Sequence, residues 1–519
     1  MLSKAKSRSL SGKTKLLIFL FLAGSIIPNF LFAQFTQQGP KLVGTGAVGN
    51  YSWQGSSVAI SSDGNTAIVG GEFDNNQAGA GWIFVRSGGV WTQQGPKLVG
   101  TGAVGNASQG RSVAISSDGN TAIVGGYRDN ATAGAIWVFT RNGGIWTQQG
   151  PKLVGTDAIG SDVEQGFSVA ISSDGNTAIV GGWVDNSGSG AVWVFTRSGG
   201  VWTQQGPKLI GSGAVGHAFQ GSSVAISSDD NTVIVGGYYD NTGMGAIWVF
   251  TRNGSVWTQQ GSKLVGTGAV GNAWEGYSVA ISSDGNTTIV GGTEDNNLAG
   301  AVWIFTRSGG VWTQQGPKLI GTGAIGNARQ GYSVAISSDG NTGIVGGYVD
   351  NNFTGAVWVF TRSGNIWTQQ SLKLVGTGAI GNAWQGNAVT LSSEGTLIEG
   401  GYEDNGGAGA VWVFYNPTLG ITPISGNVPK DFSLLQNYPN PFNPSTKIRF
   451  EVPNKGLQPL VQIRVFDVLG REVSTLVNEQ LQPGTYEVNF DATNFPGGVY
   501  FYKLTSNDFS ETKKMVLIK

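Results

Sequence analysis

The chain has 519 residues, of which 85 are glycine and only 12% are charged, with a formal net charge of −1 and no cysteine. That length holds two or three domains. The missing cysteine excludes disulfides, thiolate metal sites and a cysteine nucleophile, and the near-neutral charge excludes a basic field for nucleic acid.

The first 33 residues read as a signal peptide. Lys4, Lys6, Arg8, Lys13 and Lys15 form a basic stretch, and Leu16 to Ile27 is apolar but too short to span a bilayer. Ala33 and Gln34 flank the expected cleavage point. Removing the five basic residues takes the formal net charge from −1 to −6. The mature chain is expected to be mildly acidic and to lack a transmembrane span.

From residue 34 to 415 one unit of 55 or 56 residues recurs seven times, marked by Phe35, Trp91, Trp146, Trp202, Trp257, Trp312 and Trp367. A period above 40 residues with strand-like content reads as a propeller. In the copy beginning at Trp146, Trp146 to Val154 is extended and a Gly-rich loop runs to Gly166. Ser168 to Ser172 alternates as a strand, Asp174-Gly175 is a hairpin turn, and Thr177 to Val180 and Ala191 to Thr196 are two further strands. Glycines at fixed phases between such strands are turn formers rather than a sign of disorder.

Four strands per period make one blade. The small residues Ser168, Ala170 and Ser172 suit the crowded innermost position, and the Trp-Thr-Gln-Gln-Gly-Pro segment suits the outer edge. Pro40, Pro96, Pro151, Pro207 and Pro317 recur on that segment, as expected for an edge strand. The first copy opens with the outer strand and the last copy lacks one. The N-terminal strand is therefore expected to complete the last blade and close the ring.

Each copy resembles the FG-GAP repeat of integrin-type propellers in its bacterial form. The resemblance rests on Gly166 to Ile171, Val180 to Gly182, Gly190 to Phe195 and Trp202 to Gln205, and it covers residues 35 to 415. The family's calcium loop is missing: each simple turn carries one acidic residue, with Asp229-Asp230 in the fourth copy. One carboxylate in a four-residue turn cannot supply six to eight oxygens, so these are turn formers and no metal site is expected. A sialidase-type Asp box is excluded by its spacing and by its position between the wrong strands.

Alternate loops of an up-and-down blade share a face, and one such pair carries most of the differences between copies. That face is expected to gather Trp53, Phe73, Tyr127, Trp183, Phe219, Tyr238, Tyr239, Trp274, Tyr348, Trp384 and Tyr402. Loops on a rigid scaffold often carry binding residues, and aromatic rings beside polar groups suit sugars or protein hot spots. Unconstrained loop drift would give the same variation. Asp74, Asp129, Asp185, Asp240, Asp295, Asp350 and Asp404, each followed by Asn, form a carboxylate ring on that face. They read first as Asx turns, with a weak cation or ligand ring as the sharper alternative. No catalytic residue and no cofactor is assigned. His217 is the sole histidine, and every carboxylate candidate is either repeated sevenfold or isolated.

Residues 416 to 430, with Pro417, Pro423 and Pro429, read as a linker. From residue 431 to 519 short alternating strands are expected at 447–451, 461–467, 484–490, 499–504 and 513–518, in a small Ig-like β-sandwich. This stretch resembles the type A sorting domain of the type IX secretion system. The matching residues are Asn437 to Pro444, Phe466 to Val473, Pro483 to Tyr486, Gly497 to Tyr502 and Lys513 to Lys519. The resemblance implies a partner in the type IX machinery and a location outside a Gram-negative cell, released or on the outer-membrane surface.

The fold class expected is all-β, a seven-bladed β-propeller followed by a β-sandwich. The function expected is a secreted or cell-surface binding module for a glycan or a protein. The alternatives are a structural surface repeat protein and a glycoside hydrolase.

Overall fold

Alternating Val/Ile runs, broken at fixed intervals by Asp-Gly and Gly-Gly turns, fold as antiparallel four-stranded sheets. The computed structural model describes residues 35–416, 421–425, 428–454, 459–481, 483–492 and 495–518. The signal segment, with Ala33 and Gln34, lies outside the described residues.

The repeats form seven four-stranded sheets, six of them running from inner to outer strand in chain order. Six are continuous; the first comprises Ser57–Ile60, Thr66–Gly71, Ala80–Ser87 and Val90–Gln93. The seventh is assembled from both ends of the region. Thr36–Gln37 pairs with Ala410–Tyr415, with Thr36 opposite Tyr415 and Gln37 opposite Phe414. Inner strands of adjacent sheets touch around the whole circle, first to last included. The sheets are therefore the blades of a closed propeller.

Small residues at the axis are used for blade-to-blade bonding. Ser57 Oγ donates to the Gly110 carbonyl at 2.8 Å, and Ser112 Oγ to Gly166 at 2.8 Å. The Asp-Gly turns lie on one face and behave as turn formers. Asp118 Oδ1 accepts from the Asn120 amide at 2.9 Å and from Ser116 Oγ at 2.5 Å. On the same face Arg141 Nε donates to Asn120 Oδ1, and its guanidinium lies 5.5 Å from the Trp146 ring.

The aromatic that marks the period is not the heart of the blade. That place belongs to the tryptophan of the third strand: Trp82, Trp137, Trp193, Trp248, Trp303, Trp358 and Trp412 are all 0% exposed. Trp137 Nε1 donates to the Thr101 carbonyl at 2.8 Å, which ties down the loop arriving from the preceding blade. The indole is flanked by two glycines. A Cβ on Gly100 would lie 2.0 Å from Trp137 Cδ1, and one on Gly126 would lie 2.7 Å from its Cζ3.

The paired glutamines of the outer segment have separate tasks. Gln148 Oε1 accepts from the Thr101 amide at 2.7 Å. Gln94 Oε1 accepts from Trp146 Nε1 of the next blade at 2.9 Å. The expected edge prolines sit slightly elsewhere. Pro96 lies in a bend after the ladder ends at Gln93, between the Gln94–Ile83 and Leu98–Gly81 backbone bonds. A residue without N–H fits that gap.

The C-terminal region forms two four-stranded antiparallel sheets over one apolar core that includes Ile448, Phe450, Val461, Ile463 and Tyr502. The five expected strands are present, with three more at Ser433–Leu434, Glu472–Gln480 and Ile421–Ser425. The last of these lies inside the expected linker. It pairs with the edge of Gly484–Asp491, and as an outermost strand it tolerates Pro423. The motif that opens this region and the motif that closes it are hydrogen-bonded together. The Phe442 amide donates to the Val516 carbonyl and the Ile518 amide to the Phe442 carbonyl, each at 2.9 Å.

Filling a glycine pad should break the clasp it forms. Gly100→Ala is expected to lower stability by roughly 1–3 kcal/mol, the usual cost of overpacking. Gly81→Ala, at a strand position where the other six blades carry Val or Ile and the nearest atom to a Cβ is the Ile68 Cδ1 at 3.3 Å, should cost less than half as much. Denaturant unfolding of the two variants gives the comparison.

Candidate functional site

The two variable loops of each blade meet on the face opposite the Asp-Gly turns. Parallel bridges join them, as between Gly79 and Gln109 and between Gly134 and Gln165. The Asp-Asn loop turns through consecutive left-handed residues, Asn75 at φ 50° and Asn76 at φ 55°, a conformation asparagine tolerates well. Its aspartate is buried and fully occupied. Asp185 Oδ1 accepts from the Ile159 amide at 2.7 Å and Oδ2 from Lys208 Nζ at 2.6 Å. The same pairing joins Asp74 to Lys97, Asp129 to Lys152, Asp240 to Lys263, Asp295 to Lys318, Asp350 to Lys373 and Asp404 to Lys41. With exposures of 0 to 1%, the seven carboxylates hold the loops and turn no oxygen toward solvent. Among the described residues no group of three or more His, Cys, Asp or Glu could hold a metal ion.

The residue two before the glycine of the first loop is left-handed in every copy: Trp53, Ser108, Glu164, Phe219, Trp274, Arg329 and Trp384, at φ 53° to 60°. Non-glycine residues pay for this conformation. In a chain this rich in glycine, none of the seven copies uses it there.

All eleven aromatic side chains expected on this face come together around its centre. Ring contacts run from Phe73 to Trp53 (3.7 Å between centroids), Tyr402 (4.8 Å), Trp384 (5.2 Å) and Tyr348 (5.1 Å). They continue through Tyr332, Tyr277, Tyr238, Phe219, Trp183 and Phe167 to Tyr127. Trp274 and Tyr239 pack against Tyr238. Most of these rings are half-buried, with Tyr239 the most open at 38%.

The collar has one gap, between Tyr127 and Phe73, and charged groups fill it. Arg111 lies 3.5 Å from Glu72 and stacks 4.4 Å from the Phe167 ring centroid. Arg128 lies over Tyr127 and is bonded to Gln77. Burial pushes the Glu72 carboxyl up, opposed by Arg111 and Arg128. Burial also works against the Arg111 charge, but Glu72 and the surrounding phenols outweigh it.

Inside the collar is a cavity of about 410 Å³. Every blade contributes one side chain from the position just before the Ser-Val-Ala-Ile segment or its equivalent: Ser56, Arg111, Phe167, Ser222, Tyr277, Tyr332 and Asn387. A cavity lined by all seven blades lies on the propeller axis. Sequence reasoning missed these seven positions because each is a single residue between near-invariant neighbours. The signal was present, since one slot in an otherwise uniform motif holds five residue types.

Besides Glu72, two buried carboxyls stand where other copies have uncharged residues. Glu275 replaces a glutamine that elsewhere clasps a glycine through both amide atoms, as Gln109 does with the Gly100 N–H and carbonyl. Glu275 Oε2 accepts from the Gly266 amide at 2.5 Å, and burial lifts its carboxyl to about 8. Glu399 replaces a strand valine, is 0% exposed, and burial lifts it to about 8 as well.

Residues 436–519 match the family described as the secretion system C-terminal sorting domain, so the chain carries a type IX sorting domain. No curated protein matches the chain. Among solved structures it is similar to a TolB candidate from Agrobacterium tumefaciens, at 13% identity over 58% of this chain and 88% of that one, with a TM-score of 0.33. It is similar to the β-propeller domain of the Trilobed protease from Pyrococcus furiosus, at 10% identity over 67% and 91%, with a TM-score of 0.36. It is similar also to prolyl oligopeptidase B from Galerina marginata, at 10% identity over 76% of this chain and 54% of that one, with a TM-score of 0.35. Likeness at this level supports no inference about activity.

The raised carboxyls set a pH dependence. A folded value near 8 against an ordinary 4.5 means that the fold keeps protons the unfolded chain gives up. Stability should therefore fall as pH rises from about 4.5 to about 8 and level off above that. Glu275→Gln restores the clasp and should remove its share of the slope, on the order of 3 kcal/mol between pH 5 and 8. Urea unfolding of both proteins across that range measures it.

Proposed function

We propose that the mature protein is an exported binding module, an FG-GAP-type seven-bladed propeller that takes a glycan or protein ligand on the face carrying the aromatic collar. The left-handed loop position is the observation that carries this reading. Glycine would remove a backbone cost of order 1–3 kcal/mol per blade there, yet three copies hold Trp and others hold Phe, Glu, Arg and Ser. Side chains kept against their own backbone preference are kept for what they contact.

Export rests on the C-terminal sorting domain, and its partner is the type IX machinery. Among the described residues no helix is long and apolar enough to cross a membrane. The expected fate is release or display at the outer surface of the cell. A structural surface protein is the second reading, favoured by the near-identity of the opposite face in all copies. It predicts that the collar can be changed without loss of any interaction.

Two measurements separate these. Deleting residues 436–519 should leave the protein cell-associated and absent from the surface and the medium, as seen by fractionation. On a glycan and protein array, Trp274→Gly with Trp384→Gly should abolish the wild-type signal while the melting temperature moves only a few degrees, since relieved backbone strain offsets the lost ring contacts. Retained array binding in that variant would move the site off the collar.

A further inference from the structure

The axial cavity is chemically one-sided. Its wall carries aromatic rings, two serines and an asparagine, and its only charged side chain is Arg111. Resting on the binding reading above, we infer that this cavity holds a hexuronate unit of an acidic polysaccharide, with the sugar carboxylate on the Arg111 guanidinium and the ring against the aromatic wall.

Arg111 is built to receive a carboxylate. Phe167 supports one face of the guanidinium at 4.4 Å, and Glu72 holds one of its terminal nitrogens at 3.5 Å. Glu72 does not line the cavity, so it holds the arginine without competing for the ligand. A guanidinium has five N–H donors. One loose contact to Glu72 leaves a fork for bidentate recognition of a planar carboxylate.

The rest of the wall suits the remainder of a sugar. Trp183, Trp274 and Tyr277 offer flat surfaces for the C–H faces of a pyranose, and Ser56, Ser222 and Asn387 offer hydroxyl and amide partners for its oxygens. The volume of about 410 Å³ falls in the range of roughly 300–1,000 Å³ common for small-ligand sites. A cationic ligand would meet the Arg111 charge. A neutral sugar would strip water from Arg111 and return no partner for it, which sites of this kind penalise. A nucleotide could stack, but its phosphates would find a single cation.

The sevenfold frame strengthens the assignment. One inner slot differs chemically from blade to blade while the strands beneath it are almost the same. The charge appears in one blade alone, beside the one gap in the collar. A ligand that binds in a single orientation needs such a break in symmetry.

Calorimetry on the full exported protein tests this with trigalacturonate, trimannuronate, neutral galactotriose and uridine diphosphate. At least one uronate trimer is expected to bind about tenfold or more tighter than galactotriose, with an advantage that shrinks as salt rises. Arg111→Gln combined with Glu72→Gln, which leaves no lone buried charge, should erase that advantage, and Arg111→Lys should retain part of it. The inference is overturned if galactotriose or uridine diphosphate binds as well as both uronates, if neither uronate binds at millimolar concentration, or if the folded double variant keeps the preference. Should the double variant fail to fold, an Arg111→Lys protein with unaltered uronate affinity and salt dependence overturns it equally. A protein or neutral glycan found on the array and lost in the Trp274, Trp384 variant would sink the uronate assignment and leave the collar as the binding face.

Discussion

The fold depends on a tryptophan gripped between glycines. In each blade the third-strand indole is fully buried, and its N–H holds the carbonyl of the loop that crosses from the previous blade. The two flanking positions admit no side chain: a Cβ would lie within 2.0 to 2.8 Å of indole atoms at every one of them. A large apolar area is buried there without leaving an unpaired donor. That contact fixes where the loop from the previous blade crosses the sheet.

The blades are then bonded in series by polar side chains. Glutamines reach from one outer strand to the tryptophan of the next, serines close the inner ring, and lysine–aspartate pairs pin the loops. Burying an ion pair contributes little net stability by itself. Here each pair also accepts a backbone N–H, so its value is in fixing loop geometry. Closure by Thr36–Gln37 against the last blade completes the series without any disulfide. An exported protein with no cysteine must obtain its rigidity from interlocking of this kind.

That rigidity makes a one-sided site possible. Four of the aromatic side chains on this face sit on left-handed backbone immediately before the clasping glutamine or Glu275, namely Trp53, Phe219, Trp274 and Trp384. A loose loop would relax such strain, whereas a scaffold held by seven tryptophan clasps does not. Departures from the repeat cluster in the same region. The Glu72–Arg111 pair breaks the collar, and Glu275 replaces a clasp glutamine directly beside Trp274. Repeat identity belongs to the scaffold, and divergence belongs to the axis.

Much of the scaffold was legible from periodicity. Strand number, strand order, the shared ring-closing blade and the aromatic face all follow from hydrophobic alternation, turn residues and the phase at which the first and last copies begin and stop. The Asp-Asn residues were legible as loop formers, but their lysine partners, some 23 residues away, were not. A strand at Ile421–Ser425 was hidden by Pro423, which an edge position accommodates. The axial cavity was invisible because its lining comes one residue per blade, separated by a whole repeat, and only closure of the ring brings those residues within reach of one ligand. Local pattern is a property of neighbours along the chain and can be read there. Convergence of seven distant side chains on one axis is a property of the closed ring, and only the folded molecule has one.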